Sequence, residues 1–499
     1  MSDQQLDAII VGAGFGGIGT AIQLKKLGYE NLLILDREDD LGGTWHVNRY
    51  PGLACDVPSN TYSYRFEPYP YWSRLYAPGA EIKKYAEYVA DKYDVRRHMR
   101  FGIAVTGACW NEDAECWDVA LADGGTLSAR FLIAATGVLS QPYYPEIPGI
   151  HEFAGRIIHT TAWDDDYAMA GRRVALIGTG ATAVQLIPEL AKDVAELTVY
   201  QRTPIHVLPK SDFTVPRFVR RAFARVPLAQ RVMRSMTDAT YEVGFVLAVL
   251  KYQRFWWVNS AAERTSQLLR FVSIRDKKLR RQLTPAYTLG CKRPTYSNTY
   301  YSTFAKPNVT LQTSGIDRIE PDGIVALDGT KAQIDTLVLA TGFDMWEKNI
   351  PAIEIIGRDG CNLGKLWRAN GFRAYEGMTT PNFPNLLNLN SAYAVSLNFF
   401  DMIDYQMRHM ERLFGEVRRR HATRFEVTEE ATDRFCARFG ELQRNTVFYL
   451  GECANSRSYY FAPDGETYVR ATSTRDSVHS QSQFPLSDYA LSGSDIVSV

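Results

Sequence analysis

Short apolar runs of strand length punctuate this chain, and two of them enter glycine-rich turns that are followed by helical spacing. The first is Asp7-Ala8-Ile9-Ile10-Val11, then Gly12-Ala13-Gly14-Phe15-Gly16-Gly17, then a helical pattern from Ile18 to Leu27 that Gly28 stops. A second apolar run, Asn31 to Leu35, ends at Asp36. The same order recurs as Arg173 to Ile177, Gly178-Thr179-Gly180-Ala181-Thr182-Ala183, a helix through Leu190, and a strand Leu197 to Gln201 closed by Arg202. Two further runs, Arg130 to Thr136 and Asp335 to Thr341, both end in Ala-Thr-Gly, as expected of strands that return to a nucleotide-binding sheet. A proline-rich connection, Pro142 to Pro148, reads as a linker. Between the second unit and Lys292 lies a helical stretch, roughly 216–281, rich in arginine and in aromatics such as Phe255-Trp256-Trp257; most of those aromatics are expected to pack the insertion, and a direct role in the substrate pocket competes. The segment 455–499, rich in Ser and Tyr, has weak periodicity and leaves two readings, a loop over the site or a loosely ordered tail.

These patterns predict an α/β protein with two Rossmann-like dinucleotide-binding domains, the second carrying a helical insertion. The expected boundaries are 1–140 with 345–499 for the first domain and 150–344 for the second, with the insertion at about 212–287. Strand, turn and helix in sequence are what separate a dinucleotide fingerprint from an ordinary glycine-rich turn. Glycines let the backbone approach a pyrophosphate, which then rests on the positive end of the helix. In the first unit Gly12, Gly14, Phe15 and Gly17 form the turn, and Asp36 stands where a carboxylate accepts hydrogen bonds from ribose hydroxyls, which reads as FAD. In the second, Gly178, Thr179, Gly180, Ala181 and Thr182 form the turn, and Arg202 replaces the acidic residue. A guanidinium binds a 2'-phosphate that a carboxylate would repel, so this unit reads as NADPH. The competing reading of Arg202 is a solvated surface charge.

Composition fits a two-cofactor enzyme. The chain has 499 residues, enough for two or three cores, and Lys+Arg and Asp+Glu both number 56. A net charge of zero gives no overall field toward nucleic acid or an anionic membrane. The first strand begins within a few residues of Met1, which leaves no room for a secretory signal, and the most apolar window, Gly244 to Leu250, is too short to span a bilayer. Cysteines at 55, 109, 116, 291, 361, 436 and 453 include no C-x-x-C pair, so reduced thiols in a cytoplasmic protein are expected. Only Cys55 follows the first nucleotide unit closely, which argues against a disulfide reductase. The eight histidines lack metal spacing and no nucleophile elbow is present, so metal and acyl-transfer chemistry are not expected.

Between the two units stand Phe153, Gly155, His159, Trp163 and Asp164. Their spacing resembles the Phe-x-Gly-x-x-x-His-x-x-x-Trp-Pro/Asp fingerprint of type I Baeyer–Villiger monooxygenases; the related flavin-containing monooxygenases lack the Trp-Asp ending. The resemblance covers nearly the whole chain. Gly42 to Gly52 is similar to that family's flavin-contacting stretch, Gln201-Arg202-Thr203-Pro204 to its NADPH-phosphate stretch, and Cys291-Lys292-Arg293-Pro294 to its active-site arginine segment. It implies a cycle in which NADPH reduces FAD, O2 adds at C4a, and the peroxyflavin attacks a ketone to give an ester or lactone. The implied FAD contacts include Arg37, Gly43, Thr44, Trp45, Asp56, Tyr62 and Val105, and the implied NADPH contacts include Thr203 and Lys292. Arg293 is implied to stabilise the peroxide and the oxyanion that follows, with Asp56 orienting it; for Asp56 alone a turn-capping role competes. For His159 and Trp163 a hinge or packing role competes with catalysis.

The chain departs from the family at His46-Val47, at Asn390-Ser391-Ala392-Tyr393, and at Arg457-Ser458-Tyr459-Tyr460, where many relatives have a tryptophan. Two alternatives accompany the ketone reading: oxygenation of sulfur or nitrogen, and an NADPH oxidase that releases peroxide. Pocket walls come from distant segments, so the sequence assigns ketone and O2 as small-molecule partners and no particular compound.

Overall fold

A computed structural model describes residues 6–396 and 398–493; residues 494–499 of the C-terminal segment lie outside the described residues. The first glycine fingerprint joins β1 (Leu6–Val11) to α1 (Phe15–Lys26), and β2 (Leu32–Leu35) follows. A one-turn helix, α2 (Thr44–Val47), comes next, then β3 (Met99–Arg100), β4 (Val105–Asn111), β5 (Cys116–Leu121) and β6 (Thr126–Ala134). β1, β2, β3 and β6 run parallel, and β4 and β5 form an antiparallel meander onto β6. The chain returns to this sheet much later: Glu354–Ile356 pairs with β4, and Leu386–Asn388 pairs with the last three residues of β6. α1 begins at Phe15, earlier than its apolar spacing signals, because the turn glycines are themselves helical and buried.

The second fingerprint joins β8 (Arg173–Ile177) to α3 (Ala181–Asp193), which leads to β9 (Glu196–Tyr200). With β7 (Arg156–His159), β10 (Val309–Gln312) and β11 (Thr336–Leu339) they make a five-stranded parallel sheet in the order β10-β9-β8-β11-β7. All-parallel strands are covered on both faces, hence the continuous apolar runs rather than alternation.

The two units match at the level of single hydrogen bonds. The Gly12 amide donates to the Leu35 carbonyl, and the Gly178 amide to that of Tyr200; the Ala135 amide donates to Val11 and the Ala340 amide to Ile177. Each first glycine has positive φ, and a Cβ on Gly12 would stand 2.5 Å from the Ala135 carbonyl oxygen, as one on Gly178 would stand 2.3 Å from that of Ala340. The Ala-Thr-Gly endings are therefore small because they pass directly over the glycine turns.

In the insertion, α4 (Arg217–Arg225), α5 (Pro227–Phe245), α6 (Tyr252–Ser273) and α7 (Lys277–Gln282) follow one another. Here two expectations need correction. Trp256 and Trp257 do not pack inside the insertion but are more than half exposed, directly after Phe255, whose backbone leaves helical geometry. The C-terminal segment is no loose tail through residue 493. Thr474–Gln483 is helical, capped by Ser473, and Tyr489–Ser492 pairs with Arg424–Val427. Arg470, fully buried, meets Glu376 at 2.7 Å and anchors it.

The expectation of seven reduced thiols is also corrected. Cys291 and Cys453 form a disulfide, their Cα atoms 5.2 Å apart and 162 residues distant in sequence. The helix Val447–Leu450 packs beside Tyr287 and Cys291, a tertiary contact that cysteine spacing does not encode.

Gly12→Ala puts a side chain at φ +112 against a carbonyl. It is expected to cost at least about 1–2 kcal/mol and to release FAD, read as a lower flavin-to-protein absorbance ratio and a lower Tm; full FAD occupancy would show that the turn tolerates a Cβ.

Candidate active site

Arg293 and Asp56 meet as a bidentate pair: Nε donates to Oδ2 at 2.5 Å and Nη2 to Oδ1 at 2.9 Å. Asp56 sits in a turn held by the Cys55 amide on the Ala77 carbonyl. Arg293 precedes a two-residue strand, Thr295–Tyr296, that pairs with Val207–Leu208 just beyond the second nucleotide unit. The side chains keep 31% and 27% of their surface open. Burial alone would raise the Asp56 carboxyl, but the charge and hydrogen bonds of Arg293 outweigh it and hold the acid below its ordinary range. Burial works against the guanidinium as well, and Asp56 overrides it, so Arg293 stays charged. Tyr76 and Tyr296 stack beside the pair, and the Tyr76 hydroxyl meets that of Tyr241 on α5 at 2.6 Å.

Around the first turn the backbone forms a cradle. Gly14 and Gly43 pass back to back, with a Cβ on Gly43 only 3.1 Å from the Gly14 Cα. Gly14 precedes α1 without a side-chain cap, and no acidic residue stands in the first turn, leaving its amides available. Phe15 is buried, and its carbonyl accepts from the Tyr64 hydroxyl at 2.5 Å. Asp36 accepts from the Ala13 amide at 2.7 Å and the Glu38 amide at 3.0 Å, one bond per oxygen, which leaves lone pairs for a ribose. Trp45 donates to Tyr62 at 3.2 Å and meets it edge-on; Thr44 opens α2. Arg37 donates to the Ser140 carbonyl at 2.5 Å, and Val105 begins β4 against the core. A turn that only glycine fits, an uncapped helix and a half-satisfied carboxylate fit FAD.

In the second turn Gly180 precedes α3 without a side-chain cap, and a Cβ there would meet nothing within 4 Å. The Thr179 hydroxyl donates to the Thr203 carbonyl at 2.7 Å and ties the turn to the stretch that carries Arg202. Ala181 and Arg202 are exposed, and Thr182 lies within reach of the Tyr50 hydroxyl. Lys292 is pushed down to about 8, by burial first and then by the positive charges of Arg202 and Arg457. Three cations close enough to repel one another call for an anion, and the phosphates of NADPH fit. Sequence reasoning missed Arg457; it comes from the C-terminal segment, and no local motif marks it.

A second missed feature is the contact between the halves. The Tyr50 hydroxyl donates to the Gln185 side chain of α3 at 3.1 Å, and that side chain donates to the Ala54 carbonyl at 2.9 Å. The residues leading to Asp56 thus rest on the helix of the second unit.

The central fingerprint is a junction. Phe153 is buried with Gly155 against its ring, and Trp163 is buried in the second core. Asp164 pairs with Arg156 at 2.7 Å. His159 Nδ1 accepts from the Thr161 amide at 3.2 Å, so the neutral ring carries its proton on Nε2, toward the linker carbonyl of Tyr143 and that of Gly342. Its ring lies against Tyr144, and burial pushes it down to about 4. It is therefore neutral at physiological pH and joins the linker to the end of β11.

Such a fold and site define a flavoprotein that binds two dinucleotides, one on each of two Rossmann-like units. Residues 9–217 match the family described as pyridine nucleotide-disulphide oxidoreductase. The chain is 35% identical over 468 residues to a Baeyer-Villiger monooxygenase of Streptomyces coelicolor, covering 91% of this chain and 86% of that one. It is also 35% identical over 460 residues to a Baeyer-Villiger monooxygenase of Pseudomonas aeruginosa, covering 91% and 85%. Among solved structures it resembles cyclohexanone monooxygenase from Rhodococcus sp. Phi1 bound to NADP+, with a TM-score of 0.87 and 28% identity over 99% of this chain and 100% of that one. The chain belongs to the Baeyer–Villiger monooxygenase family, and its cofactors are FAD and NADPH. No helix among the described residues is long and apolar enough to cross a membrane.

Because free Lys292 loses its proton near pH 8, NADP+ affinity is expected to fall as pH rises through that value; Arg202→Ala moves the inflection upward while weakening binding. A flat Kd between pH 7 and about 9.5 would remove Lys292 from the phosphate site. His159→Ala is expected to slow turnover with FAD retained and with no change in the pH profile above about pH 5, whereas complete flavin loss would make the residue a folding element.

Proposed function

We propose that this enzyme inserts one atom of O2 beside a ketone carbonyl, giving an ester or lactone and water at the expense of NADPH. The bidentate pair of Arg293 and Asp56 carries the reading. It sets a fixed positive charge in a cleft, between a stretch that follows the first nucleotide unit and a segment beside the phosphate cations of the second. Bound FAD supplies the reaction with oxygen; the protein binds, orients and excludes water.

The chain is assigned to an FAD domain at 1–140 with 345–499 and an NADPH domain at 150–344. Gly12, Gly14, Gly17, Asp36, Gly43, Thr44 and Trp45 hold FAD, supported by Phe15, Arg37, Tyr62 and Val105. Gly178 to Thr182, Arg202, Thr203 and Lys292 hold NADPH, and Arg457 adds to the same cations. Arg293 donates to negative charge that develops on the reacting oxygens, and Asp56 fixes the plane of its guanidinium. Phe153, Gly155, His159, Trp163 and Asp164 set the angle between linker and second sheet, a positioning role. The reading places the enzyme in the cytoplasm, where NADPH is regenerated.

Turnover under 18O2 with a ketone and a thioether offered together tests this. One 18O atom in an ester is expected; label confined to a sulfoxide would assign oxygenation at sulfur, and unlabelled substrates with stoichiometric peroxide would assign an oxidase. Arg293→Ala is expected to lower ester formation at least about 100-fold while NADPH still reduces the flavin. Arg293→Lys does not restore it, since an ammonium lacks the planar fork.

A further inference from the structure

The zero net charge of the chain conceals a strong asymmetry. Between Arg217 and Gln282 there are fifteen Lys and Arg against four Asp and Glu, a surplus of eleven that the remaining residues cancel. All four acids are engaged within the protein. Asp238 meets Arg65 and Arg234, Glu242 accepts from Thr474, Glu263 accepts from the Leu289 amide, and Asp276 caps α7. Of the cations, Arg234 and Arg270 are buried and hydrogen-bonded, while Arg217, Arg220, Arg221 and Arg225 line an open depression beside Tyr71, and the insertion's only ion pairs among the described residues are those of Asp238.

The same helices hold most of the exposed large apolar side chains. Thirteen of the 21 found among the described residues fall between Phe213 and Val272. Phe218 is 73% exposed, Leu228 68% and Trp256 58%, and Met233, Met236 and Phe271 join them. At 100° per residue, α4 sets Arg217, Arg220, Arg221 and Arg225 on one side and Phe218, Val219, Ala222 and Phe223 on the other. Basic residues on one face with aromatic and aliphatic residues on the other are the composition of helices that lie in a lipid interface.

We propose that the helical insertion docks on an anionic lipid bilayer, with its apolar residues in the headgroup boundary and its arginines on phosphate groups. Charge selects this occupant over a second copy of the chain: two insertions face to face would oppose surpluses of the same sign, whereas a negative bilayer neutralises the unpaired guanidinium groups. The surface also has a bearing on the site. α5 carries Met233 and Met236 outward and, on its inner side, Tyr241, whose hydroxyl meets Tyr76 beside Asp56. A docked bilayer lies one helix, about 10 Å, from the Arg293 cleft, so an apolar substrate dissolved in lipid has a short path to it.

Flotation of the FAD-loaded enzyme with vesicles tests the proposal independently of the oxygenation reading. Equimolar phosphatidylglycerol and phosphatidylcholine vesicles are expected to carry the enzyme at low salt, and pure phosphatidylcholine vesicles to leave it behind. Arg217→Glu/Arg221→Glu/Arg225→Glu is expected to weaken partitioning more than about tenfold, and Trp256→Ser/Trp257→Ser to weaken it as well, with FAD content and turnover of a water-soluble ketone unchanged. Failure to float with anionic vesicles overturns the proposal. So does equal flotation of wild type and both variants, or a solution dimer that the same substitutions dissociate.

Discussion

Everything at this site depends on holding one guanidinium in a fixed plane, away from bulk water, where two halves of the chain meet. Arg293 comes from a segment that follows the second nucleotide unit, and Asp56 from a stretch that follows the first. Neither is held in place by its own neighbours alone. The carboxylate supplies direction as well as charge, because two parallel N–H···O bonds leave the fork little rotational freedom. Breaking a fully enclosed pair of this kind costs about 3–5 kcal/mol; the 31% of Arg293 and 27% of Asp56 that stay open reduce that cost and leave both side chains accessible.

The two Rossmann-like units solve one problem twice. In each, the first glycine lies under the carbonyl of an Ala-Thr-Gly ending and the following helix has no side-chain cap, so its first backbone amides stay available. What distinguishes the units is the residue after the second strand, Asp36 in one and Arg202 in the other. Gln185 fastens the flavin-side stretch to α3, and His159 lies between the linker and the end of β11, so hydrogen bonds join the units at several separate places. Contacts of this type are suited to movement between steps of a cycle.

Much of this was legible in the sequence because the informative signals are local. Strand, glycine turn and helix are contiguous, and so are the residues from Phe153 to Asp164. Lys292 and Arg293 could be singled out together for the same reason. Other features were not legible. Arg457 joins Lys292, and Cys453 joins Cys291, across more than 160 residues, through packing of a C-terminal segment whose periodicity is weak. Trp256 and Trp257 read as core from composition, yet face outward, since hydrophobicity alone does not tell an interior from an interface. The arginine-rich composition of the insertion was legible, but which of its arginines stay on the surface was not, because exposure depends on packing.

A double-mutant cycle on the rate of ester formation, with flavin reduction by NADPH measured in parallel, tests most directly whether Arg293 and Asp56 act as one unit. The account predicts that Arg293→Ala, Asp56→Ala and the double variant lose nearly the same activity while flavin reduction persists in all three. Losses that multiply would contradict it, because they would mean that each residue acts without the other.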